Sequence, residues 1–421
     1  MNFQIIHQKK EITMKTLFIP VLAGFLILSW NVEAKTPSLK VAAEEAASAQ
    51  KDKTGTSTTK WVPAVDPKPL GASVKKGLAW LVENQHSNGG WSQGEESGQM
   101  RSGQPEVKGV PNVADTCVAA LALLREGSTP SKGAYAKHLA KAVEFVCAEI
   151  EASDKDSLFI TGVRNTRVQS KLGTYIDTFL ASMLLAEVKD RMPDVERQKR
   201  VEICLNKVMA KVEKNQKADG SFDNQGWAPA LAQSMASKGM NRAAQNAAPV
   251  SDAVRERAEM NSRKSYDKAA GKFSGTGTAG VELYGAVSVL SGMQDADNTN
   301  QAEKGKFEKQ LKEAKTESEK KQAQGKLDRI AKNQEDLEHA REKVVQRLDD
   351  KAFVSGFGSS GGEEFLSYMN IGESLVVKGG DAWRKWDQSM TENINRIHSH
   401  PIKNANFLWD GCDKISLLSK T

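Results

Sequence analysis

Histidine and cysteine are the residue types that metal chemistry would use first, and the chain holds six and four of them respectively. His398 and His400 stand two positions apart near the C-terminus, and with Cys412 they supply donor types that transition metals bind. His-x-His outside an ordered helix more often binds nothing, so these residues predict no metal site. The other cysteines have no C-x-x-C spacing and lie in apolar helical segments, where cysteine acts as a small buried hydrophobe.

Acidic residues recur at one position of the chain's apolar segments. Asp115, Asp177 and Glu282 stand at the start of three such segments in equivalent frames. An acid in the first turn of a helix interacts favourably with the positive end of the helix dipole and caps free N–H groups. We therefore predict that these acids cap helices and ring the mouth of a cavity that the helices enclose.

The elements that position these acids are paired helices. Residues 77–124 contain a one-sided amphipathic helix, a turn, and a second helix that is apolar on every side and must therefore be buried. The turn follows the pattern Gln-x-x-[Asp/Asn]-Gly-[Gly/Ser]-aromatic, which occurs twice, at Gln85, Asn88, Gly89 and Trp91 and at Gln216, Asp219, Gly220 and Phe222. In both copies we expect glycine to take a positive φ, glutamine to bond freed carbonyls, and the aromatic ring to pin the turn to its neighbour.

Repetition of this unit predicts an all-α array of about six helix pairs with the last pair incomplete. The pairs lie near 71–126, 134–190, 194–238 and 249–293, followed by a fifth that ends in 363–377 and a sixth that begins at Asp381. Residues 301–350 are charged, and Leu327, Ile330, Leu337, Val344 and Leu348 are spaced close to a coiled-coil heptad. We expect a helical hairpin that projects from pair five, with part of its second arm serving as the outer helix of that pair, and a single solvated helix is the alternative.

The resulting division is a signal peptide at 1–34, a flexible leader at 35–69, repeats one to four at 70–300, the charged insertion at 301–350, repeats five and six at 351–400 and an irregular tail at 401–421. The signal prediction depends on Lys9, Lys10 and Lys15, an apolar run too short for a comfortable span, and a small residue at Ala34. It predicts a secreted or periplasmic protein with no transmembrane span in the mature chain. The net charge is +6 without a dense basic stripe, so nucleic acid is not an expected partner.

The two turns and the helices around them resemble the prenyltransferase and squalene-oxidase repeat of the terpenoid cyclase and protein prenyltransferase superfamily, in particular its secreted, uncharacterised bacterial members. The resemblance implies an α/α toroid with inner helices around a central cavity. It also implies zinc through an Asp-x-Cys pair, which Asp115 and Cys117 match in spacing only and without a third ligand. Asp295-Ala296-Asp297-Asn298 departs from the acid motif of the cyclases, and we expect it to lie in a solvated polar loop.

The sequence thus favours a binding or scaffold protein with no complete catalytic motif and no cofactor, and leaves enzymatic activity open. Its ligand is an unspecified small molecule or protein, and protein partners are expected at 301–350 or at the incomplete last repeat. The alternatives are an enzyme of the cyclase or prenyltransferase type that acts on a polyisoprenoid, or a toroidal polysaccharide-degrading enzyme. Residues expected to line the cavity are Asp115, Cys117, Tyr175, Asp177, Phe179, Glu282, Tyr284, Phe365 and Tyr368.

Overall fold

The apolar segments are helical in the computed structural model, which describes residues 65, 68–93, 107, 109–358 and 362–399. The signal peptide, most of the leader, the tail, His400, Cys412 and the side chain of His398 lie outside the described residues. The all-α prediction is confirmed, and among the described helices none is long and apolar enough to cross a membrane. The described helices are α1 Ala72–Glu83, α2 Val113–Arg125, α3 Ala136–Ala152, α4 Arg167–Leu172, α5 Ile176–Val188, α6 Val195–Asn215, α7 Pro229–Gln245, α8 Asp252–Lys264, α9 Glu282–Glu313, α10 Glu317–Gln346, α11 Lys351–Ser355, α12 Gly362–Lys378 and α13 Gly380–Ser399.

Five of the described helices form the buried interior. They are α2, α5, α7, α9 and α12, and each packs against the next in chain order. Every residue of α5 is buried, as its lack of a polar face requires. The remaining long helices lie behind them: α1 and α3 contact α2, α6 contacts α5, α8 and α10 contact α9, and α13 contacts α12.

The ends of the array also meet. Helix α13 packs against α1, where the Ser73 hydroxyl donates to Asn395 Oδ1 over 2.9 Å and Lys68 forms an ion pair with Asp387. Within the interior, Arg125 of α2 lies 3.6 Å from the Glu373 carboxylate of α12. The first and last interior helices are therefore joined by charge.

Both repeated turns hold one helix pair against the next. Gly89 and Gly220 have φ values of +92° and +85°, and a Cβ on either would lie 2.3 Å from Lys141 O or 2.1 Å from Arg257 O. Backbone approach this close requires glycine independently of φ. The carbonyl oxygens that contact the two glycines belong to α3 and α8, the outer helices of the following pairs.

In the first turn, the carbonyl groups at the end of α1 are not bonded by the glutamine side chain as expected, and the aromatic residue bonds one of them instead. Gln85 Nε2 donates to Gly89 O (2.9 Å) and to His138 O of α3 (3.0 Å), rather than to its own helix. The carbonyl of Leu81 in α1 instead accepts from the Trp91 indole N–H at 2.8 Å. In the second copy Phe222 has no N–H group on its ring and contributes only packing, with its centroid 5.0 Å from that of Phe179.

The charged insertion is a hairpin, but its first arm is not a separate helix. Helix α9 runs without a break from the interior into the insertion, and α10 returns along it and begins with a Thr316–Glu319 capping box. Ile330, Leu337 and Val344 are buried, so the alternative of a single solvated helix is wrong. A short antiparallel pair, β1 Tyr266–Asp267 with β2 Lys272–Phe273, precedes α9 and is absent from the sequence-based prediction.

Candidate functional site

Asp115 lies in the first turn of α2, where Asn112, the N-cap residue of this helix, binds it. The Asn112 side chain accepts from the Asp115 backbone N–H over 2.9 Å and donates to its carboxylate over 2.7 Å. Burial disfavours the charged carboxylate and raises the pKa of Asp115 to about 6, although the hydrogen bond from Asn112 opposes this. The carboxylate faces its neighbours rather than an open space.

Asp177 lies in the first turn of α5, but its carboxylate caps the neighbouring helix α2. Its carboxylate accepts from the backbone N–H of Ala114 in α2 over 3.0 Å and from Gln169 Nε2 over 2.8 Å. Burial raises the pKa of Asp177 above the ordinary value. Asp177 therefore ties α4, α5 and the first turn of α2 together.

The third predicted rim acid does not join the other two. The Glu282 side chain is 58% exposed and pairs with Arg347 at 2.8 Å beyond the end of α10. The buried acids at the corresponding end of the array are instead Glu363 and Glu364, the second and third residues of α12. Two adjacent glutamates that open an apolar helix were the available sequence signal for them.

These two glutamates are held by neighbouring polar groups. Glu363 forms a 2.8 Å ion pair with Lys171, whose ammonium lies 4.7 Å from the ring centroid of Trp227. Glu364 accepts from Phe357 N over 2.9 Å and from the Tyr284 hydroxyl, and burial raises the pKa of Glu364. Both acids therefore stabilise the fold around α12.

Cys117 does not fit a zinc ligand. The thiol is completely buried, and burial followed by the nearby charge of Asp177 raises its pKa well above the ordinary value. Cysteine binds a metal as a thiolate, and a raised pKa disfavours the thiolate form. Among the described residues no group of three or more histidine, cysteine or acidic side chains is placed to hold a metal.

The aromatic residues expected to line a cavity mostly lie in the packed interior. Phe179 and Tyr284 have no exposed surface, and Phe365 is buried. Tyr175 is half-buried, with its ring centroid 4.9 Å from that of Phe159. Tyr368 is buried, yet it also lines a cavity at the edge of α12.

A charged network fills the middle of the interior helices, and the sequence did not predict it. Lys238 of α7 lies 2.9 Å from Asp295 Oδ2 of α9 and also bonds Glu373 of α12. Arg125 of α2 binds Glu187 of α5 through both terminal nitrogens, one of them at 2.7 Å. The prediction that Asp295 stands in a solvated polar loop is wrong. Asp295 lies within the continuous helix α9, where it is buried and forms an ion pair with Lys238.

The electrostatics of the network favour its charged state. Burial opposes the ionisation of Glu373, but Lys238, Arg242 and Arg125 outweigh burial and lower the pKa of Glu373 to about 2. Burial likewise opposes the charge of Lys238, while Asp295 and Glu373 raise the pKa of this lysine. The carboxylates and cations at the centre therefore neutralise one another.

The cavity at the edge of the array has a volume of about 190 Å³. It lies where α12, α13 and the start of α1 meet, and we call it the seam cavity. Its walls are formed by Lys68, Pro69, Gly71, Val74, Tyr368, Met369, Gly372, Trp383, Trp386, Asp387, Met390, Thr391, Ile394 and Asn395.

Among the described residues, one buried acid faces this cavity. The Asp387 side chain is 9% exposed, and its ion-pair partner among the described residues is Lys68, whose side chain is 58% exposed. No local sequence pattern marks the site, because its walls come from opposite ends of the described chain.

Comparison of the chain with protein-family models, with curated proteins and with solved structures finds no match.

Proposed function

We propose that this chain is an extracytoplasmic α/α-toroid protein that binds a small ligand in the seam cavity. The toroid is supported by the serial packing of α2, α5, α7, α9 and α12 and by the contact between α1 and α13. The ion pair between Arg125 and Glu373 also links the first and last interior helices. The extracytoplasmic location rests on the signal-peptide pattern, and purification of the exported chain with N-terminal sequencing tests it.

The position of the seam cavity is the observation that carries the binding function. The two ends of the array, α1 and α13, meet beside α12. These three helices and the segment before α1 supply the walls of the seam cavity. A partly open space lined by aromatic side chains, which a small ligand can enter, therefore lies at the junction between the ends of the array.

The charged network favours binding over the enzymatic alternatives. A cyclase that protonates a polyisoprenoid requires a desolvated acid in a large apolar cavity. Here the central acids Asp295 and Glu373 are ion-paired, and the side chains of the network occupy the space between the interior helices. The seam cavity is smaller than the roughly 300–1,000 Å³ typical of sites for drug-sized ligands, so its ligand is a small molecule.

A blocking substitution tests the binding function. Gly71 lines the cavity, and a Cβ placed on it would meet nothing within 4 Å. Gly71→Phe therefore places a phenyl ring in open space at the cavity. Gly71 is the N-cap residue of α1, and its replacement should lower the free energy of unfolding by less than about 1 kcal/mol. Gly305→Phe is the matched control, because Gly305 on the exposed arm of α9 also has nothing within 4 Å of its Cβ position.

The probe for this test is benzyl alcohol, and its binding is followed by the intrinsic tryptophan fluorescence of the chain, to which Trp383 and Trp386 in the cavity wall contribute. We expect a saturable change in the wild type and in Gly305→Phe, and its loss in Gly71→Phe. Equal saturation in Gly71→Phe would contradict binding in the seam cavity.

A further inference from the structure

We propose that the seam cavity recognises a small free organic ammonium ion, with Asp387 as its counter-ion and the rings of Tyr368, Trp383 and Trp386 as its walls. This inference rests on the proposed binding function and specifies the chemistry of the ligand.

The charge of the cavity favours a cation. A carboxylate that is 9% exposed needs a cation or several hydrogen-bond donors, because its desolvation is costly. Asp387 receives the ammonium of Lys68, which belongs to the segment before α1 and not to the helices that form most of the cavity wall. A lysine side chain thus already occupies the position that an amine ligand would take.

The internal ion pair is weak enough for a ligand to replace it. The Lys68 side chain is 58% exposed. Holding this long, exposed side chain in one position costs side-chain entropy, and water screens its charge, which offsets much of what the lysine gains from the contact. An external ammonium ion can therefore displace Lys68 at low cost and leave the charge of Asp387 neutralised.

The walls of the cavity suit an ammonium group. Cations are attracted to the faces of aromatic rings, most strongly to tryptophan, and aromatic walls with an acid are suited to ammonium groups. Tyr368 and Trp386 meet edge to face with centroids 5.8 Å apart. Met369 and Met390 supply polarisable surface beside them. An anionic ligand would instead be repelled by Asp387.

Size limits the ligand further. The cavity volume is about 190 Å³. This volume is below the roughly 300–1,000 Å³ typical of sites for drug-sized ligands. It admits an ammonium group with a few carbon atoms but not a nucleotide or a saccharide chain.

The experiment measures binding of choline chloride and tetramethylammonium chloride to the full chain by calorimetry, with sodium chloride at equal ionic strength as the reference. The neutral compound 3,3-dimethylbutan-1-ol has the shape of choline without its charge. The variants are Asp387→Asn, which removes the counter-ion, and Lys68→Gln, which removes the competitor. Asp381→Asn is the matched control, because Asp381 is an exposed acid on the same helix whose partner is Arg384.

We expect saturable binding of both cations to the wild type. Affinity should fall about tenfold or more in Asp387→Asn, because a charge-assisted contact is lost. It should rise about two- to fivefold in Lys68→Gln, which removes the ammonium that competes for Asp387. Asp381→Asn should bind as the wild type does. Because Asp387→Asn alone could perturb folding, the opposite change in Lys68→Gln provides the independent check.

Three outcomes overturn the inference in different ways. Equal binding of 3,3-dimethylbutan-1-ol and choline, unaffected by Asp387→Asn, would refute cation recognition and leave the proposed binding function standing. Failure of the cations and of the neutral compound to bind either the wild type or Lys68→Gln would refute both. Sedimentation with phosphatidylcholine vesicles without binding of free choline would contradict a free amine as the ligand and identify a lipid headgroup instead.

Discussion

Lys238→Met tests whether the charged network holds the interior helices together. Lys238 is 2% exposed and contacts the carboxylates of Asp295 and Glu373, each of which is also largely buried. Methionine keeps most of the side-chain volume but leaves both acids without their shared cation. Removal of one partner from a buried ion pair costs about 3–5 kcal/mol, since an uncompensated charge stays in a poorly solvated site.

The remaining cations of the network compensate only in part. Arg125 lies 3.6 Å from Glu373, and Arg242 lies 3.9 Å from Asp295. Both distances exceed the 2.9 Å between Lys238 Nζ and Asp295. We therefore expect a loss of about 3 kcal/mol or more in the free energy of unfolding.

The assay is urea-induced unfolding at pH 7, followed by circular dichroism. Lys214→Met is the control, because the Lys214 and Asp156 side chains are 58% and 81% exposed. Such an exposed pair contributes about 1 kcal/mol or less. A second comparison is Lys238→Met combined with Glu373→Gln, which removes one of the stranded charges and should recover part of the loss. Equal effects of Lys238→Met and Lys214→Met would refute the reasoning.

The pH dependence of stability provides a further check on the network. The pKa of Glu373 is about 2 in the folded chain against 4.5 for an unperturbed glutamate. A lowered folded pKa means that the stabilisation is present above pH 4.5 and is lost as the pH falls towards 2. The shift corresponds to about 3 kcal/mol, and Lys238→Met should reduce the loss of stability over this range.

Asp115→Asn should stabilise the chain at pH 7 by about 1–3 kcal/mol. The pKa of Asp115 is about 6 in the folded chain against 3.8 for an unperturbed aspartate, so the protonated side chain stabilises the fold fully below pH 3.8, and this stabilisation is lost as the pH rises through 6. Urea unfolding at pH 4 and pH 7 measures this, and equal effects at both would contradict it. Asp177→Ala should lower stability by about 1–3 kcal/mol, since two hydrogen bonds that join α2, α4 and α5 are lost; thermal unfolding measures it, and an unchanged melting temperature would exclude the cap. Gly220→Ala should lower the free energy of unfolding in urea more than Gly127→Ala does. Both glycines have a positive φ, but a Cβ on Gly127 would meet nothing within 4 Å. Equal losses would show that backbone strain, and not the contact with α8, decides the result.

Features that depend on neighbouring residues were accessible from the sequence. The apolar character of α5 is a local property, and so is the Asp-Gly dipeptide at Asp219 and Gly220. These patterns predicted buried helices and a turn with positive φ, as observed. The heptad spacing of Ile330, Leu337 and Val344 likewise predicted the buried face of α10.

Features that depend on distant partners were not accessible. The residues next to Asp295 in the sequence include no cation, whereas its partner Lys238 lies on another helix. Lys238 and Glu373 are 135 positions apart. Burial of a charged residue is tolerated only with such a partner, so a local pattern assigns these residues to the surface. The seam cavity was missed for the same reason, since Lys68 and Asp387 are 319 positions apart.

Calorimetric titration of the full chain with choline, in the wild type and in Gly71→Phe, examines ligand binding at the seam cavity without relying on any change to the charged residues. We expect one saturable site in the wild type and its loss when the added ring blocks the cavity. Binding of equal strength in both proteins, or no binding to the wild type and to Lys68→Gln, would contradict a ligand site at the seam.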